Sequence, residues 1–184
     1  HAEDALLEAE NSQQMLSYFD NESVLYTEQH LREMENLKQD IVDENLRWFL
    51  QPQVGLSNRK IMGFELKVHW YKKNNSPLEL HQFVETAEYS GEIYLLTKQM
   101  IKQAFQLLVS LKKLGKQQSI SIKLLSQYLL EPDLVNFIEK QIEDYGVSGS
   151  LLVIELKEDI VLSASHRAKV IIDQLRALKI GIAI

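Results

Sequence analysis

Glu65, Lys67 and His69 occupy alternate positions in Ile61-Met-Gly-Phe-Glu-Leu-Lys-Val-His-Trp70. Side chains alternate across a β-strand, so a carboxylate, an ammonium group and an imidazole share one face if this segment is extended. A carboxylate on such a face can ligate a cation. An ammonium group has no lone pair to offer a metal, and beside a carboxylate it acts as its counter-charge. Other chemistries are poorly represented. The chain has no cysteine, which removes disulfides, thiol nucleophiles and Cys-based zinc sites. Its five histidines are scattered without a His-x-His pair, so no His-rich metal site is expected. No Gly-rich phosphate loop occurs. The small basic groups Lys72-Lys73 and Lys112-Lys113-Lys116 lack interleaved aromatics and read as solvated loop and helix-end charges. Trp48 and Trp70 read as packing residues.

The elements that must position these groups follow from periodicity. Asn21–Leu50 carries Val24, Leu31, Met34, Leu37, Ile41 and Leu46 near helical spacing, without Gly or Pro through residue 50, and is expected to be a long polar helix. Phe49–Val54 reads as a strand, Gly55–Arg59 as a turn and Lys60–Trp70 as a second strand; Lys72–Pro77 reads as a polar loop. Glu79–Tyr89 and Ile93–Leu114 read as helices, stopped at Ser90-Gly91 and Gly115. Ser119–Leu124 is a predicted strand, Asp133–Tyr145 a helix closed by Gly146, and Leu151–Leu156 a strand. Ser163–Leu178 is a predicted helix capped by Ser163 or Ser165, and Ile180–Ile184 a last strand. Strand–helix alternation with apolar strand runs predicts an α/β fold with a parallel sheet covered by helices. A closed eight-stranded barrel takes about 250 residues. About five strands are expected here, so a barrel is incomplete in this chain.

Charge divides the chain. Residues 1–48 hold 12 Asp and Glu against 3 Lys and Arg, a net −9; residues 49–184 hold 14 against 17, a net +3, giving the overall −6. With 45% hydrophobic residues the chain is not disordered in composition. No apolar run approaches the roughly 18–20 residues of a transmembrane helix, so a cytoplasmic location is expected, with anchoring of a longer protein in the inner membrane left open.

Five segments in register carry a family resemblance. Phe49-Leu-Gln-Pro-Gln-Val54 followed by Ile61–Trp70 resembles the opening of an EAL domain, with its Gln-Pro strand and Gly-x-Glu-Ala-Leu-x-Arg-Trp motif. Phe83-Val-Glu-Thr-Ala-Glu88 with Ser90-Gly-Glu-Ile93, Ile120–Leu125, Leu152-Val-Ile-Glu-Leu-Lys-Glu158 and Gly181-Ile-Ala-Ile184 resemble later family segments, the last leading towards an Asp-Asp-Phe-Gly motif. Ala2–Asn11 and Leu16–Asp20 resemble the last helix and strand of a GGDEF domain. The resemblance divides the chain into a GGDEF-like end at 1–20, a linker helix at 21–48 and a truncated TIM-barrel-like EAL domain at 49–184.

The resemblance implies hydrolysis of cyclic di-GMP with divalent cations held by the motif Glu, an Asn, a second Glu and an Asp pair. Carried over, Glu65 and Glu155 stand at the two glutamates, but Lys123 stands at the Asn, Lys67 at the motif Leu and His69 at the motif Arg. The expectation is a vestigial site of Glu65, Lys67, Lys123 and Glu155, in which Lys67 or Lys123 neutralises the carboxylates. No catalytic residue, metal or cofactor is assigned. Gln51, His69 and Glu88 stand at family ligand-contact positions and are candidates for nucleotide binding without hydrolysis. Glu-Leu-Lys in place of Glu-Ala-Leu is similar to CsrD-type regulators of small-RNA decay. A regulatory or scaffold module with a protein partner is therefore expected, with cyclic di-GMP as an alternative ligand, RNA weakly supported as a partner, and the linker helix as a candidate dimer contact.

Overall fold

The computed structural model describes residues 21–72, 77–157 and 166–184. The expected GGDEF-like helix and strand within residues 1–20, the centre of the polar loop at 73–76 and the Ser163 or Ser165 cap lie outside the described residues. The elements are α1 (Asn21–Val42), β1 (Arg47–Val54), β2 (Ile61–Trp70), β3 (Leu78–Glu79), α2 (Leu80–Tyr89), α3 (Ile93–Lys113), β4 (Ser119–Lys123), α4 (Leu134–Tyr145), β5 (Leu152–Glu155), α5 (His166–Ala177) and β6 (Gly181–Ala183). Short 3₁₀ turns at Ser126–Leu130 and Gly149–Leu151 join β4 to α4 and α4 to β5.

The sheet order is β1-β2-β4-β5-β6, with two-residue β3 beside β2. Strands β2, β4, β5 and β6 run parallel, as the strand–helix alternation predicts. β1 and β3 pair antiparallel to β2, and β3 is a sixth strand absent from the expected five. Alternation gives the parallel strands two chemically different faces. Leu66, Val68, Trp70, Ile120, Ile122, Leu124, Leu152, Ile154 and Leu156 are buried on one face, in one core with residues of the surrounding helices such as Leu96, Phe105, Ile138 and Leu175. Glu65, Lys67, His69, Ser121, Lys123, Val153 and Glu155 fall on the other. The architecture is the α/β, TIM-barrel-like one expected, with six strands and five helices among the described residues.

All five helices end alike. Just past each helix one residue turns left-handed, and its N–H and the next N–H bond back to carbonyls of the last turn: Gly91 and Glu92 close α2, Gly115 and Lys116 close α3, Gly146 and Val147 close α4. In α1 and α5 the left-handed position is taken by Glu44 (φ 55°) and Lys179 (φ 65°) instead of glycine. This corrects the expectation of a helix running through Leu50. Glu44 N–H donates to the Ile41 carbonyl at 3.2 Å and Asn45 N–H to the Asp40 carbonyl at 2.8 Å, which ends the helix at Val42 and frees Arg47–Leu50 for β1.

The C-terminal half of α1 does not stand apart from the body. Leu37, Ile41 and Leu46 are buried, the Trp70 indole N–H donates to Asp40 at 2.8 Å, and Gln99 Nε2 donates to the Ile41 carbonyl at 2.6 Å. Lys72 and Glu33 add an ion pair at 2.9 Å.

A polar clasp joins α3 to the start of α4. Asp133 accepts from the Tyr94 hydroxyl on one oxygen and from Lys98 Nζ on the other at 2.9 Å. Lys98 also lies 4.3 Å from the Tyr94 ring centroid. The Tyr94 hydrogen bond, then Lys98, holds the Asp133 carboxyl below its ordinary range. The carboxylate is half exposed, so solvent screens the gain.

Two predictions follow from these joints. A left-handed conformation costs a non-glycine residue about 1–2 kcal/mol, and glycine loses about 0.5–1 kcal/mol of that advantage through unfolded-chain entropy. Lys179→Gly should therefore stabilise the chain by about 0.5–1 kcal/mol, raising Tm by about 1–4 °C in a thermal melt; an unchanged or lower Tm would refute it. Asp133 has a depressed folded pKa, so its stabilisation is full above the unfolded value near 3.8 and disappears as pH falls through the folded one. Urea unfolding should show wild type more stable than Asp133→Asn at pH 7, with the gap closing below about pH 4. A gap constant from pH 3 to pH 7 would contradict the clasp.

Candidate functional site

The polar face of the sheet assembles by register. Cα pairing sets Gln51 opposite Glu65, Gln53 opposite Gly63 and Phe49 opposite Lys67 across β1 and β2. It sets Glu65 beside Ser121 across β2 and β4, and Lys123 beside Glu155 across β4 and β5. Glu65, Glu155, Lys67 and Lys123 thus belong to one face of three neighbouring strands, β2, β4 and β5, with Gln51 beside them at the β1 edge.

Lys67 Nζ lies 2.5 Å from Glu65 Oε1, with the two side chains 34% and 19% exposed. The two are i,i+2 neighbours on one strand, so the pair forms without any tertiary adjustment. Lys123, the alternative counter-charge, is placed differently. Although it is the register partner of Glu155, no carboxylate among the described residues lies within ion-pair distance of its ammonium group. It is the last residue of β4, and its side chain is exposed.

Glu155 has another partner. Gln53 Nε2 lies 3.1 Å from Ser121 Oγ and 3.5 Å from Glu155 Oε1. This is a long reach, from β1 over β2 to β4 and β5. Gly63 makes it possible. It lies directly opposite Gln53, and a Cβ there would sit 2.7 Å from Ser119 Oγ, 3.0 Å from the Ser119 carbonyl and 3.3 Å from Gln53 Oε1. Sequence reasoning missed Gln53 and Ser121, because neither matches a motif position and their meeting depends on the pairing of three strands.

A groove opens beside this face, lined by Glu65, Lys67, His69, Lys123, Leu125 and Lys157, with Glu79 and His81 on its rim. Lys157 follows Glu155 by two residues and was not anticipated as a site residue. The His69 ring packs against Phe49, centroids 4.7 Å apart, and its Nδ1 is enclosed with no hydrogen-bond partner among the described residues. Glu88 lies outside the groove, on the exposed side of α2. With burial as the larger cause, its charge raises the pKa of Tyr128. The structure thus brings Glu65, Lys67, His69 and Lys123 together around one groove, puts Gln51 and Glu155 on the adjoining face, and leaves Glu88 apart.

Among the described residues, the donors on this face do not by themselves fit a pair of divalent cations. Hard cations need several oxygen ligands. One oxygen of Glu65 faces an ammonium group at 2.5 Å, Glu155 is engaged by an amide, and the β4 position between them carries a lysine. Among the described residues, no three His, Asp or Glu side chains converge as a cation site. No helix among them is long and apolar enough to cross a membrane.

Gly63→Ala should be costly, since the new Cβ meets the Ser119 backbone and the Gln53 amide together. Overpacking of this kind typically costs about 1–3 kcal/mol. Chemical denaturation should show a loss of that order, whereas Gly115→Ala meets no neighbouring atom and should cost only its left-handed strain. A Gly63→Ala variant as stable as wild type would remove the packing account of the Gln53 reach.

Comparison with known proteins agrees with this architecture. The EAL domain model matches residues 34–184. The biofilm architecture maintenance protein MbaA of Vibrio cholerae is 25% identical over 193 aligned positions, covering 100% of this chain and 24% of MbaA. The probable cyclic di-GMP phosphodiesterase PdeB of Escherichia coli is 31% identical over 108 residues, 59% of this chain and 21% of PdeB. The chain therefore spans about a quarter or less of these relatives. Among solved structures, the PaMucR phosphodiesterase in complex with c-di-GMP superposes with a TM-score of 0.78 at 23% identity, covering 85% of this chain and 62% of that one. The c-di-GMP complex of the Xanthomonas citri FimX EAL domain gives 0.75 at 17% identity, covering 86% and 61%. With a helix-backed, mostly parallel sheet in the structure and a family match running from residue 34 to its last residue, the chain belongs to the EAL domain family.

Proposed function

We propose that this EAL domain is a non-hydrolysing regulatory module in cyclic di-GMP signalling. The observation that carries the reading is the Glu65–Lys67 pair at 2.5 Å. Metal-assisted hydrolysis needs a cation to acidify a water and to neutralise the phosphodiester. An ammonium group on the carboxylate at the motif position acidifies no water, and it competes for the oxygen a metal would use. The Gln53 amide on Glu155 supports the same reading from the other side of the face.

In its finer form the reading keeps a protein partner and the likeness of Glu-Leu-Lys to CsrD-type regulators of small-RNA decay. Residues 1–20 are read as the end of a GGDEF-like domain and α1 as the connection between the two. A second reading, a cyclic di-GMP receptor without turnover, is favoured by the structural neighbours: PaMucR and the FimX EAL domain are both seen with c-di-GMP. In it Gln51 and His69 contact the nucleotide. His69 in place of an arginine gives up the bidentate fork that grips a phosphate, so weak binding is expected.

The test is product analysis with purified full-length protein, cyclic di-GMP and either magnesium or manganese. No linear dinucleotide above the protein-free control is expected. Turnover that Glu65→Gln abolishes would overturn the proposal. Nucleotide binding without turnover, weakened by His69→Ala, would select the receptor reading.

A further inference from the structure

Among the described residues, two ammonium groups on the groove, those of Lys123 and Lys157, have no carboxylate within ion-pair distance. Lys123 ends β4, and Lys157 follows β5 by one turn of the strand alternation, so both side chains fall on the groove side of neighbouring parallel strands. Both residues are exposed, and among the described residues no carboxylate lies within 4 Å of either. Lys67, the third lysine here, is already neutralised by Glu65. Adjacent like charges repel, and a fold that keeps two at the carboxyl ends of parallel strands presents them where α/β proteins take their ligands. In the same groove, His69 Nδ1 is enclosed and unpartnered.

From these features we infer that the groove binds a phosphomonoester through Lys123 and Lys157, without a metal. Charge selects the ligand class. A phosphomonoester carries close to two negative charges at neutral pH, matching two free ammonium groups, and three terminal oxygens that accept their hydrogen bonds. A phosphodiester carries one charge and would leave one lysine unmatched. The two lysines thus offer an anion a site at the carboxyl ends of β4 and β5, beside the carboxylates of Glu155 and Glu79. Free inorganic phosphate and the terminal phosphate of a sugar phosphate share this chemistry. The inference rests on the reading of the face as free of divalent cations.

Isothermal titration of the full-length protein in EDTA, at constant ionic strength, tests it with inorganic phosphate and ribose 5-phosphate as separate probes. Saturable binding of at least one probe is expected, weakened roughly tenfold or more by Lys123→Gln and by Lys157→Gln individually. Lys169→Gln, an exposed change on α5, should leave it unaltered. Equal affinity for the two probes would assign recognition to the phosphate alone, and tighter ribose 5-phosphate binding would add the sugar; both support the inference. A thermal melt gives a second reading: phosphate should raise the Tm of wild type more than that of either lysine variant. Absence of saturable binding by both probes would overturn the inference, as would binding that both lysine variants retain. The turnover assay with magnesium or manganese is independent of these titrations, so failure of the phosphate site and failure of the non-hydrolysing reading are separately visible.

Discussion

Strand β2 is the constraint on which the rest of the molecule depends. It pairs with β1 on one edge and with β4 and then β3 on the other, and its alternation sends Leu66, Val68 and Trp70 into the core while Glu65, Lys67 and His69 face the groove. A slip of one residue would put the charged set in the core, where an unpaired charge costs several kcal/mol. The apolar residues therefore fix the register, and the register fixes the polar face. The chemistry of the groove is held in place by the apolar side chains of the strand's other face.

The polar face is organised by short-range pairing at one end and long-range reach at the other. Glu65 and Lys67 meet because they are two residues apart on one strand. Gln53 meets Ser121 and Glu155 only because Gly63 leaves room above β2. The result is a face whose carboxylates are occupied by the protein's own donors, next to a groove where no described carboxylate pairs with Lys123 or Lys157.

This contrast explains what was legible in the sequence. The sharing of a face by Glu65, Lys67 and His69 is a local consequence of strand periodicity, and so are the apolar runs that give the parallel sheet. The three glycine-closed helices were readable for the same reason, since Gly91, Gly115 and Gly146 carry the stop signal themselves. Glu44 carries no such signal, so the end of α1 at Val42 and the full length of β1 were not. The Gln53 bridge depends on the register of three strands, and the freedom of Lys123 depends on where β4 ends. Neither is encoded in the spacing of residues along one segment. The two-residue β3 was hidden for another reason: Leu78 and Glu79 are too few to show a period.

The attachment of α1 has a mechanical meaning. Asp40 holds the indole of Trp70, Glu33 holds Lys72, and Gln99 grips the backbone of the last helical turn. Trp70 is joined by a single peptide bond to His69. Helix and strand consequently form one lever with its fulcrum at the buried Leu37 and Ile41. A push along the helix cannot be absorbed by sliding, since sliding breaks the indole hydrogen bond and strips two aliphatic side chains from the core. Helix and strand are thus tied together at the end of β2, one residue from His69 on the wall of the groove.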